Sequence, residues 1–166
     1  HPQAPYTTIT KALTSATAGD TIHIYPGDYE ESFPLTVPAG VAILGEGIRS
    51  VNITPTAGTN NNDCFVLQGE TRIMNLSIKD FYYNSVADEG YAFKFANNFN
   101  VTSRSPYIKN VTVITKGSVT SASDPRGFDQ GDAGRGAYID GAVAVTGSKE
   151  ERMLIHEVTS SGHGGV

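Results

Sequence analysis

The 166-residue chain carries 12 basic and 17 acidic side chains, a formal charge of −5, and is 39% hydrophobic. Its basic residues are scattered singly, which argues against nucleic acid as a partner, and no run is long and apolar enough for membrane insertion. The single Cys64 excludes an intrachain disulfide framework and a cysteine-based zinc site.

This length suits one domain with a real core. With 18 Gly and no Trp, and with plentiful Thr, Val, Ile, Ser and Asn, the composition suits short strands punctuated by turns. The charge fits a neutral polysaccharide or another protein surface as partner. The start at His1-Pro2-Gln3 has no Met, so a trimmed or partial chain is expected.

The first predicted element is a helix over 7–16. Ile9, Ala12, Leu13 and Ala16 recur at helical spacing on one face, Thr7 or Thr8 supplies an amino-terminal cap, and Gly19 suits the left-handed position that ends it. A helix this short is marginal alone, so its apolar face must lie on something, such as the end of a β structure. The stretch GDTIHIYPGDYEE (19–31) follows. Ile22 and Ile24 point inward, His23 and Tyr25 outward, Pro26-Gly27 turns a corner, and Tyr29 packs back over the end. Further strands are predicted at 35–37, 41–44, 51–54, 65–67, 73–78, 92–95, 108–114, 137–139, 142–145 and 153–158. Cys64 opens an apolar run and reads as a small buried side chain.

Self-similarity decides how the strands associate. Asn52-Ile53-Thr54, Asn75-Leu76-Ser77 and Asn110-Val111-Thr112 repeat an Asn–aliphatic–hydroxyl motif, with Glu157-Val158-Thr159 as a degenerate copy. A second series is Ile22-His23-Ile24, Ala42-Ile43-Leu44, Phe65-Val66-Leu67, Ala92-Phe93-Lys94 and Tyr138-Ile139-Asp140. One rung of about 20–25 residues, lengthened by insertions, accounts for both. That period predicts a parallel β-solenoid, with like aliphatic residues stacked along one axis and Asn or Gly at the corners. An antiparallel sandwich would call for Asn-Gly or Asp-Gly hairpins, of which only Asp140-Gly141 is present.

The run from Pro5-Tyr6-Thr7-Thr8-Ile9 through Ala12-Leu13 and GDTIHIYPGDYEE to Leu35–Gly47 resembles the amino-terminal cap and first coils of the right-handed parallel β-helix, pectin-lyase-like superfamily. The segments 72–78 and 107–113 resemble its later coils. The resemblance implies an all-β, right-handed parallel β-helix with a short N-terminal capping α-helix. It places the cap at 1–20 and the rungs at 21–166, with insertions at about 80–100 and 117–136 and a coil continuing beyond Val166. The Asn- and Thr-rich strands and long insertions most resemble phage virion proteins, especially those of cyanophages.

The superfamily includes lyases, hydrolases, esterases and non-catalytic tail proteins, so activity must be argued from residues. Hydrolases of this type pair Asp carboxylates on neighbouring rungs and carry Gly-His-Gly; Gly162-His163-Gly164 is present without the carboxylate partners. Gln68 and Asp80 do not form an esterase pattern. His156 and Glu157 fall on opposite sides of a strand, and His23 reads as a surface histidine. No catalytic residue is assigned.

Two binding readings remain. Asp124, Asp129 and Asp132 lie where a loop could fold around calcium; in the competing reading the loop is solvated and Arg126 and Arg135 pair with these acids. No other cofactor is expected. Phe81, Tyr82 and Tyr83 offer rings for stacking on sugar, since consecutive residues cannot all face inward, whereas Tyr91, Phe93 and Phe95 alternate into the coil. Four Asn-x-Ser/Thr sequons, at Asn52, Asn75, Asn100 and Asn110, largely coincide with the repeat, which explains them without glycosylation.

The balance favours a non-catalytic structural protein of a phage virion, of tail or tail-fibre type, whose insertions bind a host-surface polysaccharide. Its partners would be virion proteins or further copies of itself, as in a homotrimer, and its setting a virion or the extracellular space. The alternatives are a carbohydrate-active enzyme, a lyase or glycoside hydrolase with catalytic rungs beyond Val166, and a secreted adhesin or scaffold.

Overall fold

The computed structural model describes residues 5–82, 86–87, 89–95, 106–114, 126–129, 138–140, 143–145, 154–155 and 158–160. One helix, α1 (Ile9–Ser15), precedes the strands. These are β1 (Thr21–Ile24), β2 (Gly27–Glu31), β3 (Leu35–Val37), β4 (Ala42–Gly45), β5 (Val51–Pro55), β6 (Phe65–Leu67) and β7 (Arg72–Lys79). They continue with β8 (Tyr91–Phe95), β9 (Tyr107–Ile114), β10 (Arg126–Asp129), β11 (Tyr138–Asp140), β12 (Val143–Val145), β13 (Leu154–Ile155) and β14 (Val158–Ser160). Every strand pairing among the described residues is parallel, and no pair consists of strands consecutive in the chain. The fold is the expected right-handed parallel β-helix.

Its three faces follow from the pairing. The first holds β1, β4, the start of β7, the start of β9, β11 and β13. The second holds β2, β5, the ends of β7 and β9, β12 and β14. The third holds β3, β6, β8 and β10.

Like residues do stack. On the first face Ile22, Ile43, Ile73, Ile108, Ile139 and Ile155 occupy one register column. Of these, Ile43, Ile73 and Ile108 are fully buried, each adding about 1.5–3 kcal/mol of apolar burial. The third face runs Leu35, Phe65, Phe93 and Phe128, and the Phe65 and Phe93 rings lie 6.0 Å apart at 14°.

The register corrects the predicted alignment in two places. Asn75 and Asn110 are equivalent: both have left-handed backbone (φ 58° and 51°), both turn the chain from the first face to the second, and Asn110 Nδ2 donates to Asn75 Oδ1 at 3.1 Å. Asn52, however, pairs with Asp28 and Ser77, two positions along. Its rung turns this corner through the longer segment 46–50, while β7 turns on Asn75 alone, so one motif sits at different distances from the corner. The second predicted series mixes two faces, because β6 and β8 belong to the third. Gly45 lies beneath the Asn75 corner, where a Cβ would come within 2.3 Å of the Asn75 carbonyl oxygen.

Other boundaries move for physical reasons. The sequence pattern does not show β2; its half-exposed Gly27 and exposed Asp28 hide a strand that pairs, among the described residues, with β5 alone. The predicted insertion 117–136 contains β10, where Phe128 pairs in register with Phe93, and the predicted strand 153–158 is two strands, β13 and β14, on different faces. At the cap, Thr8 Oγ1 accepts from Lys11 N at 3.2 Å, as anticipated. The helix ends on extended Ala16, and Gly19 (φ 96°) serves the turn into β1 instead. Ile9, Ala12 and Leu13 are buried over the first rung.

Candidate functional site

Three successive connections from the second face to the third stack into a ridge beside the outer side of the third face. Phe33 N donates to Thr59 Oγ1 at 3.2 Å, Asn62 Nδ2 donates to Phe33 O at 3.2 Å, and Tyr82 N donates to Asn60 O at 2.8 Å. At the foot of the ridge sits Asp63, 5% exposed. Its Oδ1 accepts from Gly90 N at 3.0 Å and Tyr91 N at 3.1 Å, and its Oδ2 lies 3.0 Å from Lys94 Nζ. Gly90, with φ 97°, makes the bend that aims both amides at this carboxylate. Burial, and then the adjacent Asp63 charge, push the Cys64 thiol well above its usual range, so it is an inert core group.

The predicted sugar-stacking trio separates. Phe81 is 1% exposed and packs in the core, which removes it from any ligand-facing surface. Tyr82 is 41% exposed on the ridge, and Tyr83 lies outside the described residues. Tyr91 and Phe93 are buried, as expected, and so is Ala92 between them. Of the predicted calcium set, Asp124 and Asp132 lie outside the described residues, while Asp129 ends β10 at the register position beside Lys94. Among the described residues no three metal-ligating side chains come together. His156 and Gly162-His163-Gly164 also lie outside the described residues. His23 is on the surface, 3.7 Å from Glu46 and with its ring centroid 5.3 Å from that of Tyr25.

Sequence reasoning missed Glu31, 3% exposed. Its Oε1 accepts from Ile9 N at 2.6 Å, and its Oε2 from Thr10 N at 3.1 Å and Thr10 Oγ1 at 2.6 Å. It also missed Asp63 and Lys94. The available signal was position alone: each acid sits at a strand boundary, where its carboxylate meets main-chain amides of the cap or of a neighbouring coil. Asp20 is used similarly. Hydrogen bonds from the Thr17 amide and hydroxyl, at 2.7 and 2.9 Å, hold its carboxyl below the usual range.

A concavity of about 550 Å³ runs between α1 with its leading segment and β1. Tyr6, His23, Tyr25 and Tyr29 edge it, and Ile9, Ala12, Ile22 and Ile24 form its apolar floor. Tyr29 donates to Tyr25 O at 2.8 Å; burial, and then Glu46, raise its phenol.

A family model described as "Protein of unknown function (DUF1565)" matches residues 1–125. The chain belongs to that family. Among solved structures, the DUF1565 chain is similar to a mutant pectin methylesterase in complex with a hexasaccharide, at a TM-score of 0.53 and 14% identity over 97% of this chain. A second pectin methylesterase–hexasaccharide complex aligns with a TM-score of 0.47 and 15% identity over 86% of this chain. The first likeness agrees with the β-helix fold. The DUF1565 chain spans 59% and 50% of the length of those two structures. No curated protein matches the sequence.

Proposed function

We propose that this chain is a non-catalytic β-helical scaffold whose ridge and adjoining third face hold an elongated glycan. The observation that carries the reading is what the buried carboxylates do. Glu31 and Asp63 each spend one oxygen or both on main-chain amides, and the remaining Asp63 oxygen faces Lys94. Acids used in this way fix turns and are poorly placed to exchange a proton with substrate. Carbohydrate as the ligand class draws support from the exposed Tyr82 ring on the ridge and from the hexasaccharide named with the structural neighbour. A place in a phage tail or tail fibre, with virion proteins or further copies of the chain as partners, is the more specific form. Its support is the Asn- and Thr-rich character of the strands.

The test is incubation with a panel of neutral and acidic polysaccharides, following retention of the protein on the polymer, reducing ends and released methanol. Retention without product, weakened severalfold by Tyr82→Ala, is expected. Any turnover removes the non-catalytic reading, and absence of retention on every polymer removes the glycan.

A further inference from the structure

We propose that the concavity beside β1 is a strand-docking site: an extended segment of a partner polypeptide adds to the open edge of β1, bonding the main chain of Thr21 and His23 and laying an aliphatic side chain over Ile22. Among the described residues β1 pairs with β4 alone. Ala42 N donates to Asp20 O at 2.9 Å and Glu46 N to Ile24 O at 3.2 Å, so Asp20, Ile22 and Ile24 direct their peptide groups towards β4. By strand alternation Thr21 and His23 direct theirs the other way, into the concavity. Among the described residues no hydrogen bond takes up these outward groups. Two such residues, about 7 Å apart along a strand, form a ladder that another extended main chain satisfies and a compact ligand does not.

The side-chain pattern continues the same interface. Ile22 begins the isoleucine column that buries Ile43, Ile73 and Ile108 completely, yet Ile22 itself is only half-buried, and among the described residues no strand lies above it. The rung-to-rung interface therefore extends past β1 and ends on a half-covered aliphatic residue. Helix α1 covers part of the rung and leaves a slot of about 550 Å³ along the strand, a volume that suits a short extended segment. The occupant needs an aliphatic residue at the position facing Ile22 and free main-chain groups on its inner edge.

The probe is a blocked peptide copying residues 20–25, Asp-Thr-Ile-His-Ile-Tyr, since like strands stack on like in this coil. Binding would be measured by calorimetry, and the exchange of the Thr21 and His23 amides by NMR. Expected are saturable binding, slowed exchange at both amides, and at least tenfold weaker binding by a peptide with its first Ile replaced by Asp. In the protein, Thr21→Pro removes one outward N–H at the first residue of the strand without touching the bonds to β4. It should weaken the peptide at least tenfold with an unchanged melting temperature. If that variant does not fold, the exchange data on the unaltered chain decide. No binding at millimolar peptide, equal binding by the Asp peptide, or exchange unchanged at Thr21 and His23 would each overturn the proposal. So would binding confined to a version starting at Pro5, which would mean that the chain's own first residues occupy the slot.

Discussion

Glu31 Oε1 accepts the main-chain N–H of Ile9 at 2.6 Å, so a carboxylate at the end of the second strand closes the amino end of the capping helix. The same side chain takes the next amide and the Thr10 hydroxyl through its other oxygen. Thr8 satisfies the Lys11 amide. A helix of 7 residues, too short to persist alone, is thus fastened to the first rung by charge-assisted bonds as well as by its apolar face.

Glu31→Ala should therefore cost about 2 kcal/mol, the penalty for leaving largely buried amides without an acceptor. Glu31→Gln keeps one acceptor oxygen and should lose about half as much. Urea unfolding midpoints would show the order; equal midpoints for all three proteins would mean that the helix is held by packing alone.

Asp63 and Lys94 should respond unequally to mutation. Removing the Asp63 carboxylate strands two amides at the Gly90–Tyr91 bend, so Asp63→Ala should cost about 2–3 kcal/mol. The Lys94 side chain is 35% exposed, and Lys94→Met should cost less than about 1 kcal/mol after solvent screening. Comparable losses from the two substitutions would show that the ion pair, and not the amide cradle, secures this corner.

The Asn75 corner rests on Gly45. Gly45→Ala would drive a methyl group into the Asn75 carbonyl and should destabilise by about 1–3 kcal/mol. Asn75→Ala, at φ 58°, should cost about 1–2 kcal/mol from the left-handed backbone, besides losing the bond from Asn110. Asn75→Gly removes the backbone cost and should fall between that variant and the parent in thermal melts.

Cys64 should resist thiol reagents in the native protein at pH 8 and react fully in denaturant. Because its folded thiol is raised by burial, folded and unfolded states bind the same proton below the ordinary thiol value of about 8.5. Above it the unfolded chain ionises first, so stability should fall with rising pH, and Cys64→Ser should remove that share of the fall. Rapid native-state labelling would contradict the buried position.

Much of the coil could be read from the residues in order. Ile22, Ile43, Ile73 and Ile108 stand in short apolar strands bounded by turn residues, a pattern visible without any register. Asn75 and Asn110 share the Asn–aliphatic–hydroxyl repeat, and Asn is one of the few side chains a left-handed corner accepts. The helix could be read from Ile9, Ala12 and Leu13 because helical spacing is a local property.

What stayed hidden was everything that depends on a neighbour one rung away. Sequence reading aligned Asn52 with Asn75; only the pairing shows that corners of unequal length place Asn52 over Ser77. β2 and β10 carry weak strand patterns and exist because β5 and β8 lie beside them. Phe81 could not be assigned inside or outside from a Phe-Tyr-Tyr run, since the next strand decides which ring the core takes. The two best-used carboxylates, Glu31 and Asp63, act on amides more than twenty residues distant in the chain.

A column of like side chains along one axis is thus a property of the sequence, whereas which polar groups are consumed and which strand edge stays open belongs to the folded coil. The reason is physical. Aliphatic stacking needs only the right residue type at the right period, but a hydrogen bond needs a partner whose position is set by the lengths of all the intervening turns.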